Sequence, residues 1–177
     1  MRLVATHPIE GGADDFDWRI SVAEVAQDSP FSAFPGYDRC IALLGGNGMV
    51  LVSAEDGLNH RLETPLQPFY FAGEARIHAR LIDGPLHNLS VLARRGRHCI
   101  TLAPLFAPTR LSLAARNAPL VIQCLSGELQ IELQNQKSLY LRSGELVLWR
   151  VNSPRIRLIN VSEHSQGLMV GLDAPST

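Results

Sequence analysis

In "FSAFPGYDRC", residues 31–40, an aspartate and an arginine stand at the mouth of what reads as a buried strand, "IALLGG". Arg39 offers the most chemistry in this stretch. A guanidinium at a strand entrance, flanked by aromatic surface, can fork onto a carboxylate through two charge-assisted hydrogen bonds, and partial desolvation strengthens both. The competing reading pairs Arg39 with Asp38 or another acid and makes it a lock on the Pro35-Gly36 turn, because charged side chains are seldom buried alone. Trp18 and Phe34 could wall a cavity behind the arginine, since small-ligand pockets are mostly apolar with a few polar anchors. Core packing is the simpler account of Phe34. Period two puts Arg19 on the opposite strand face from Trp18, so only one of them points inward.

In "LHNLSVLARR" the faces split as Leu86, Asn88, Ser90, Leu92 and Arg94 against His87, Leu89, Val91, Ala93 and Arg95. One face is apolar and the other is polar in its middle. Solvent exposure is the default explanation of the polar face; in a ligand-holding barrel, Asn88 and Ser90 would instead supply neutral hydrogen bonds to the bound molecule. Metal binding needs convergent imidazoles, thiolates or carboxylates, and the six histidines include no "HxH" pair. No metal is expected. There is no "GxSxG" elbow and no cysteine in an obvious activating context, so no catalytic residue is assigned. The glycines of "GGNG" precede no helix and are not a phosphate loop.

These residues must be positioned by strands. "EARIHARLID" sets Ala75, Ile77, Ala79 and Leu81 against Arg76, His78 and Arg80, and "ELQIELQNQ" sets Leu129, Ile131 and Leu133 against Gln130, Glu132 and Gln134. Both are the alternation of a strand with one wet face. Further strands are expected over 18–26, 39–44, 49–53, 69–72, 86–94, 98–103, 119–124, 138–142, 145–151, 155–161 and 167–172. Asn47-Gly48 predicts a type I′ hairpin between "IALL" and "MVLV", and "LQNQK" and "RSGE" mark similar reversals. The chain reads as all-β. About a dozen short strands exceed one ordinary sheet and must close into barrels or sandwiches. "FAPTRLSLAARNAP" is the best seam, with one helical turn conceivable over Leu111 to Arg116. The organisation expected is a first barrel over 1–105, a connecting segment over 106–118 and a smaller barrel over 119–177.

The 177 residues, 46% hydrophobic and 19% charged, belong to the ordinary globular class. A net charge of -1, from 16 basic and 17 acidic residues, gives no field to draw the chain onto nucleic acid or an anionic membrane. The cluster Arg94-Arg95-Gly96-Arg97-His98 reads as a solvated hairpin end. Cys40, Cys99 and Cys124 are odd in number and widely spaced, which fits reduced buried thiols and a cytoplasmic location. No secretion signal is visible in "MRLVATHPIEGG", and nothing approaches the ~18–20 apolar residues of a membrane helix.

"FDWRISVAEV", then "SPFSAFPGYDRCIALLGGNGMVL", the histidine of "LNHRL" and "PLQPFYFAGE" together resemble the HutD/Ves family of bacterial bicupins. The likeness is close over about residues 1–105 and rests on strand pattern beyond them. Two positions of the pattern differ: family members usually begin with an extra tryptophan-bearing strand and glycine-rich turn, and they commonly carry an acid and an asparagine near Asn88 and Ser90. The resemblance implies two cupin-like barrels in one chain, cytoplasmic residence and an association with histidine utilisation. It further implies non-catalytic binding of a small carboxylated metabolite, such as formylglutamate or a urocanate-like acid, that modulates the pathway. His60 is the one histidine at a family position, and a structural hydrogen bond is its expected role. The ligand-binding set on this reading is Arg39, Trp18, Phe34, His60, Asn88 and Ser90, with no cofactor. Two alternatives stand beside it: a metal-independent isomerase or hydrolase, which requires His60 and an acid facing the same cavity, and a ligand-free interaction module that dimerises through exposed strand edges.

Overall fold

The computed structural model describes residues 1–8, 15–113, 118–150 and 153–175. It divides into two compact units, Met1–Ile100 together with Pro175, and Thr101–Ala174. Strands and turns make up the described residues of both, so the chain is all-β.

The first unit contains β1 (Arg2–His7), β2 (Trp18–Val25), β3 (Ser29–Pro30), β4 (Tyr37–Gly45), β5 (Met49–Ser53), β6 (Leu58–Leu62), β7 (Phe69–Ala72), β8 (His78–Leu81) and β9 (Leu86–Arg94). They form two antiparallel sheets, ordered β1-β2-β9-β4-β7 and β3-β8-β5-β6. Alternation dictates which side chains meet inside: Ile77 and Ala79 are buried while Arg76, His78 and Arg80 are exposed. The core gathers Ile41, Leu43, Met49, Leu51, Leu62 and Leu86, with Phe31, Phe69 and Phe71 packed against it. Each fully buried aliphatic side chain contributes about 1.5–3 kcal/mol.

"GGNG" does not close the expected hairpin. Strand β4 pairs with β7 and β9, whereas β5 pairs with β6 and β8, so the chain here passes from one sheet to the other. The left-handed residues are Gly46 (φ 97°) and Gly48 (φ 95°), flanking Asn47. Close approach explains both glycines, because a Cβ on Gly46 would lie 2.7 Å from Leu86 Cα and one on Gly48 would lie 2.5 Å from Leu62 O. Asn47 serves the crossing with its side chain, its Nδ2 donating to Asp83 O at 3.1 Å.

The second unit is built from β10 (Cys99–Phe106), whose first two residues still belong to the first unit, β11 (Thr109–Leu111), β12 (Leu120–Ser126), β13 (Glu128–Leu133), β14 (Leu139–Arg142), β15 (Leu146–Trp149), β16 (Ile156–Val161) and β17 (Gln166–Asp173). Its sheets run β10-β17-β12-β15 and β11-β16-β13-β14. Ile122, Cys124, Leu129, Ile131 and Ile159 centre its core. Asn135, at φ 59°, turns β13 into β14 within "LQNQK". Leu111, where a helical turn was conceivable, ends β11 instead, because its backbone pairs with Ile159 at a sheet edge. Residues 114–117 of that stretch lie outside the described residues.

All three cysteines are free thiols, but only Cys40 and Cys124 are buried; Cys99 is exposed, against the expectation of three buried thiols. No helix among the described residues is long and apolar enough to cross a membrane.

Candidate functional site

Strands β2, β9 and β4 lie side by side at the centre of the five-stranded sheet, and their register arranges the inward side chains in rows. Arg19, Leu92, Arg39 and Phe71 form one row. Ser21, Ser90, Ile41 and Phe69 form the next, followed by Ala23, Asn88 and Leu43. Toward Leu43 the floor merges with the apolar core. At the other end it is polar and borders a cavity of about 400 Å³, lined by Arg19, Ser21, Phe34, Arg39, Asn88 and Ser90 among others.

Arg39 is held by aromatic faces and neutral oxygens. Its Nε donates to Ser90 Oγ at 3.1 Å and its Nη1 to Ser32 O at 3.3 Å. The guanidinium carbon lies 4.6 Å from the Phe31 ring centroid, 5.5 Å from Phe71 and 6.0 Å from Phe34. Such contacts attract a cation through the ring quadrupole without neutralising it. No carboxylate among the described residues is within ion-pair distance of Arg39, and Asp38 is engaged elsewhere, accepting from Arg95 Nε at 2.8 Å on the other sheet face. Burial and the nearby Arg19 charge pull the Arg39 pKa down to about 10. A second positive charge therefore shares the site.

Arg19 enters beside it, its guanidinium carbon 4.4 Å from the Phe16 ring and 5.0 Å from Phe34. The Phe34 ring thus packs against both cations. Its turn is fixed by backbone: Phe34 N donates to Gly73 O at 2.8 Å and Gly73 N donates to Tyr37 O at 2.7 Å. A Cβ on Gly73 would lie 2.6 Å from Phe34 O and 2.8 Å from Tyr37 O, so that close approach requires glycine.

Arg95 ties the same turn from outside. It donates to Asp38, to both Glu74 carboxylate oxygens and to Tyr37 O, at 2.8–3.0 Å. These bonds hold the Glu74 carboxyl down to about 2 and push the Arg95 pKa up. Arg94 and Arg97 both pair with Asp17. The basic cluster 94–97 is therefore neutralised by acids that brace the rim.

Of the residues singled out in the sequence, Arg39, Phe34, Asn88 and Ser90 meet around the cavity. Asn88 is 1% exposed and Ser90 5%, which overturns solvent exposure as the reason for their polarity. Trp18 is 2% exposed but belongs to the opposite face of β2, where its indole stacks on His7 at 6.0 Å. His60 stacks on Phe69, centroids 4.1 Å apart, and does not border the cavity. The isomerase or hydrolase reading requires His60 and an acid facing one cavity, and His60 is absent from the lining of this one. Among the described residues no three His, Cys, Asp or Glu side chains converge as a metal cage. Arg19 was not assigned to the site from sequence, although the period-two opposition to Trp18 contained the signal.

The HutD family model matches residues 1–167. A curated relative, an uncharacterised 21.2 kDa protein in the hutC 3′ region of Pseudomonas putida, is 36% identical over 81 residues, 46% of this chain. That stretch spans 42% of the relative's own length. Among solved structures, a conserved protein of unknown function from Pseudomonas aeruginosa PAO1 superposes with a TM-score of 0.86 at 27% identity, covering 97% of this chain and 87% of that one. HutD from Pseudomonas fluorescens SBW25, in a formate condition, gives a TM-score of 0.75 at 23% identity over 98% and 88% of the two chains. A cupin 2 conserved barrel domain protein from Leptotrichia buccalis, at 11% identity, gives 0.62 over 97% and 86%. The fold is of the cupin type.

Proposed function

The chain belongs to the HutD family, which is linked to histidine utilisation, and from that premise we propose that it binds a small carboxylated metabolite in the N-terminal barrel and modulates the pathway without catalysing a reaction. Formylglutamate and urocanate-like acids are the ligands this reading favours. One observation carries it: Arg39 faces the cavity, is desolvated enough to lower its pKa, and meets no carboxylate among the described residues. A buried charge is costly until an opposite charge joins it. Two of the five N–H groups of a guanidinium are used on Ser90 and Ser32, so donors remain for an incoming carboxylate. Arg19, in the same row, adds to the positive potential that such an anion would relieve.

Calorimetric titration of formylglutamate and urocanate into the wild type and into Arg39→Ala tests the reading. Saturable binding that weakens at least ~30-fold in the variant, about 2 kcal/mol for a lost charge-assisted pair, is expected. Equal affinities in the two proteins, or no binding to either, would overturn it.

A further inference from the structure

Asn88 stands two residues along β9 from Ser90, facing the same cavity. It is 1% exposed, and its Oδ1 has no hydrogen-bond partner among the described residues. Its floor neighbours in register, Ala23 and Leu43, carry no donor. A buried amide oxygen left unsatisfied is destabilising, and a cavity wide enough to admit a ligand offers the means of satisfying it. We infer that Asn88 is a specificity-determining residue that selects, among small carboxylates, those bearing an N–H or O–H donor.

Resting on the carboxylate-binding reading above, the inference adds the chemistry of the ligand's other end. The anionic end lies against Arg39, whose Nε is tied to Ser90 Oγ. Two residues further along the strand, ~6–7 Å away at 3.2–3.4 Å per residue, Asn88 Oδ1 accepts a hydrogen bond. The ligand is therefore an acid with a donor roughly that far from its carboxylate, as in an N-acylated amino acid or a heteroaromatic acid with a ring N–H. An acid of the same shape without the donor leaves Oδ1 buried and dry, which a site of this kind rejects strongly.

The test uses matched probes on the intact chain: urocanate against 3-(2-furyl)acrylate, which replaces the imidazole by a ring without N–H, and formylglutamate against its analogue with CH2 in place of the amide N–H. Wild type should bind at least one donor-bearing acid ~10- to 100-fold more tightly than its partner. In Asn88→Leu, of similar volume, the two members of that pair should fall within ~2-fold of each other while both remain sensitive to Arg39→Ala. Wild-type affinities that are equal within each pair would show that a water already serves Oδ1 and would overturn the inference, leaving carboxylate binding intact. A preference that survives Asn88→Leu would overturn it as well. If no acid of either pair binds wild type, the carboxylate reading falls and takes this one with it.

Discussion

Arg19 and Arg39 are each paired in register with Leu92, so two guanidiniums face one cavity from the strands on either side of β9. Burial, and after it the Arg19 charge, pulls the Arg39 pKa down to about 10. The protein maintains this unfavourable pairing through aromatic faces that tolerate cations.

Stability should rise when that charge is removed. Arg39→Met keeps an unbranched apolar stem against Phe31 and Phe71 and abolishes the buried cation. The ligand-free variant should melt ~2–4 °C higher than wild type, about 1 kcal/mol, while losing acid-induced stabilisation. Differential scanning calorimetry with and without urocanate or formylglutamate reads both effects, and a lower melting temperature would mean that Arg39 is a net structural brace.

Gly73→Ala should loosen the Phe34 turn. Its Cβ would meet two backbone oxygens, Phe34 O and Tyr37 O, which cannot rotate away. A cost of about 1–3 kcal/mol, or a fall in Tm of roughly 2–12 °C, is expected. Gly45→Ala provides the control, since a Cβ there meets nothing within 4 Å, and it should change Tm by less than ~2 °C.

Acid should release the outer brace in a defined window. The Glu74 carboxyl is held at about 2 by Arg95, below its ordinary 4.5. A depressed carboxylate contributes its stabilisation fully above the unfolded value and loses it as pH falls through the folded one. Glu74→Gln should therefore melt below wild type at pH 6, and the gap should close between about pH 4.5 and 2. Melting curves across that range check the sign; a gap that widens toward low pH would contradict it.

Native thiols should divide one against two. Cys99 is exposed, whereas burial pushes the Cys40 thiol up to about 12 and raises that of Cys124. Thiolate, the reactive form, is then scarce at both buried positions. A disulfide reagent at pH 8 should titrate one group rapidly in folded protein and all three after denaturation.

The strand pattern is legible where the two sheet faces differ, as in β8 and β13, whose alternation picks out the buried Ala79, Leu129 and Ile131. β2 and β9 are also found where the pattern expects them, but it does not say which face points inward, because both faces are buried. There hydrophobicity no longer identifies the inside: Trp18, the more apolar of its pair, lies away from the cavity and Arg19 lies toward it. The same ambiguity made Asn88 and Ser90 read as solvent-facing, because period two gives the face but not what covers it. Arg39 was legible because an aromatic turn precedes it and Asp38 alternates to the other side. The pattern does not reveal β1, β3, β6 or β11: β3 and β11 are only two and three residues long, the "LNHRL" of β6 is rich in polar residues, and the burial of β1 never exceeds intermediate. Asn47-Gly48 predicts a hairpin where the chain instead crosses between sheets, since a dipeptide signals a reversal without naming the strand that receives it.

Strand β9 carries two alphabets at once, one written on odd positions and one on even. Adding or deleting a single residue before Asn88 would transpose them, presenting Leu89 and Val91 to the cavity and thrusting an amide and a hydroxyl into hydrocarbon. Length variation in this lineage should accordingly gather in the flanking loops, with β9 itself changing by exchange of side chains.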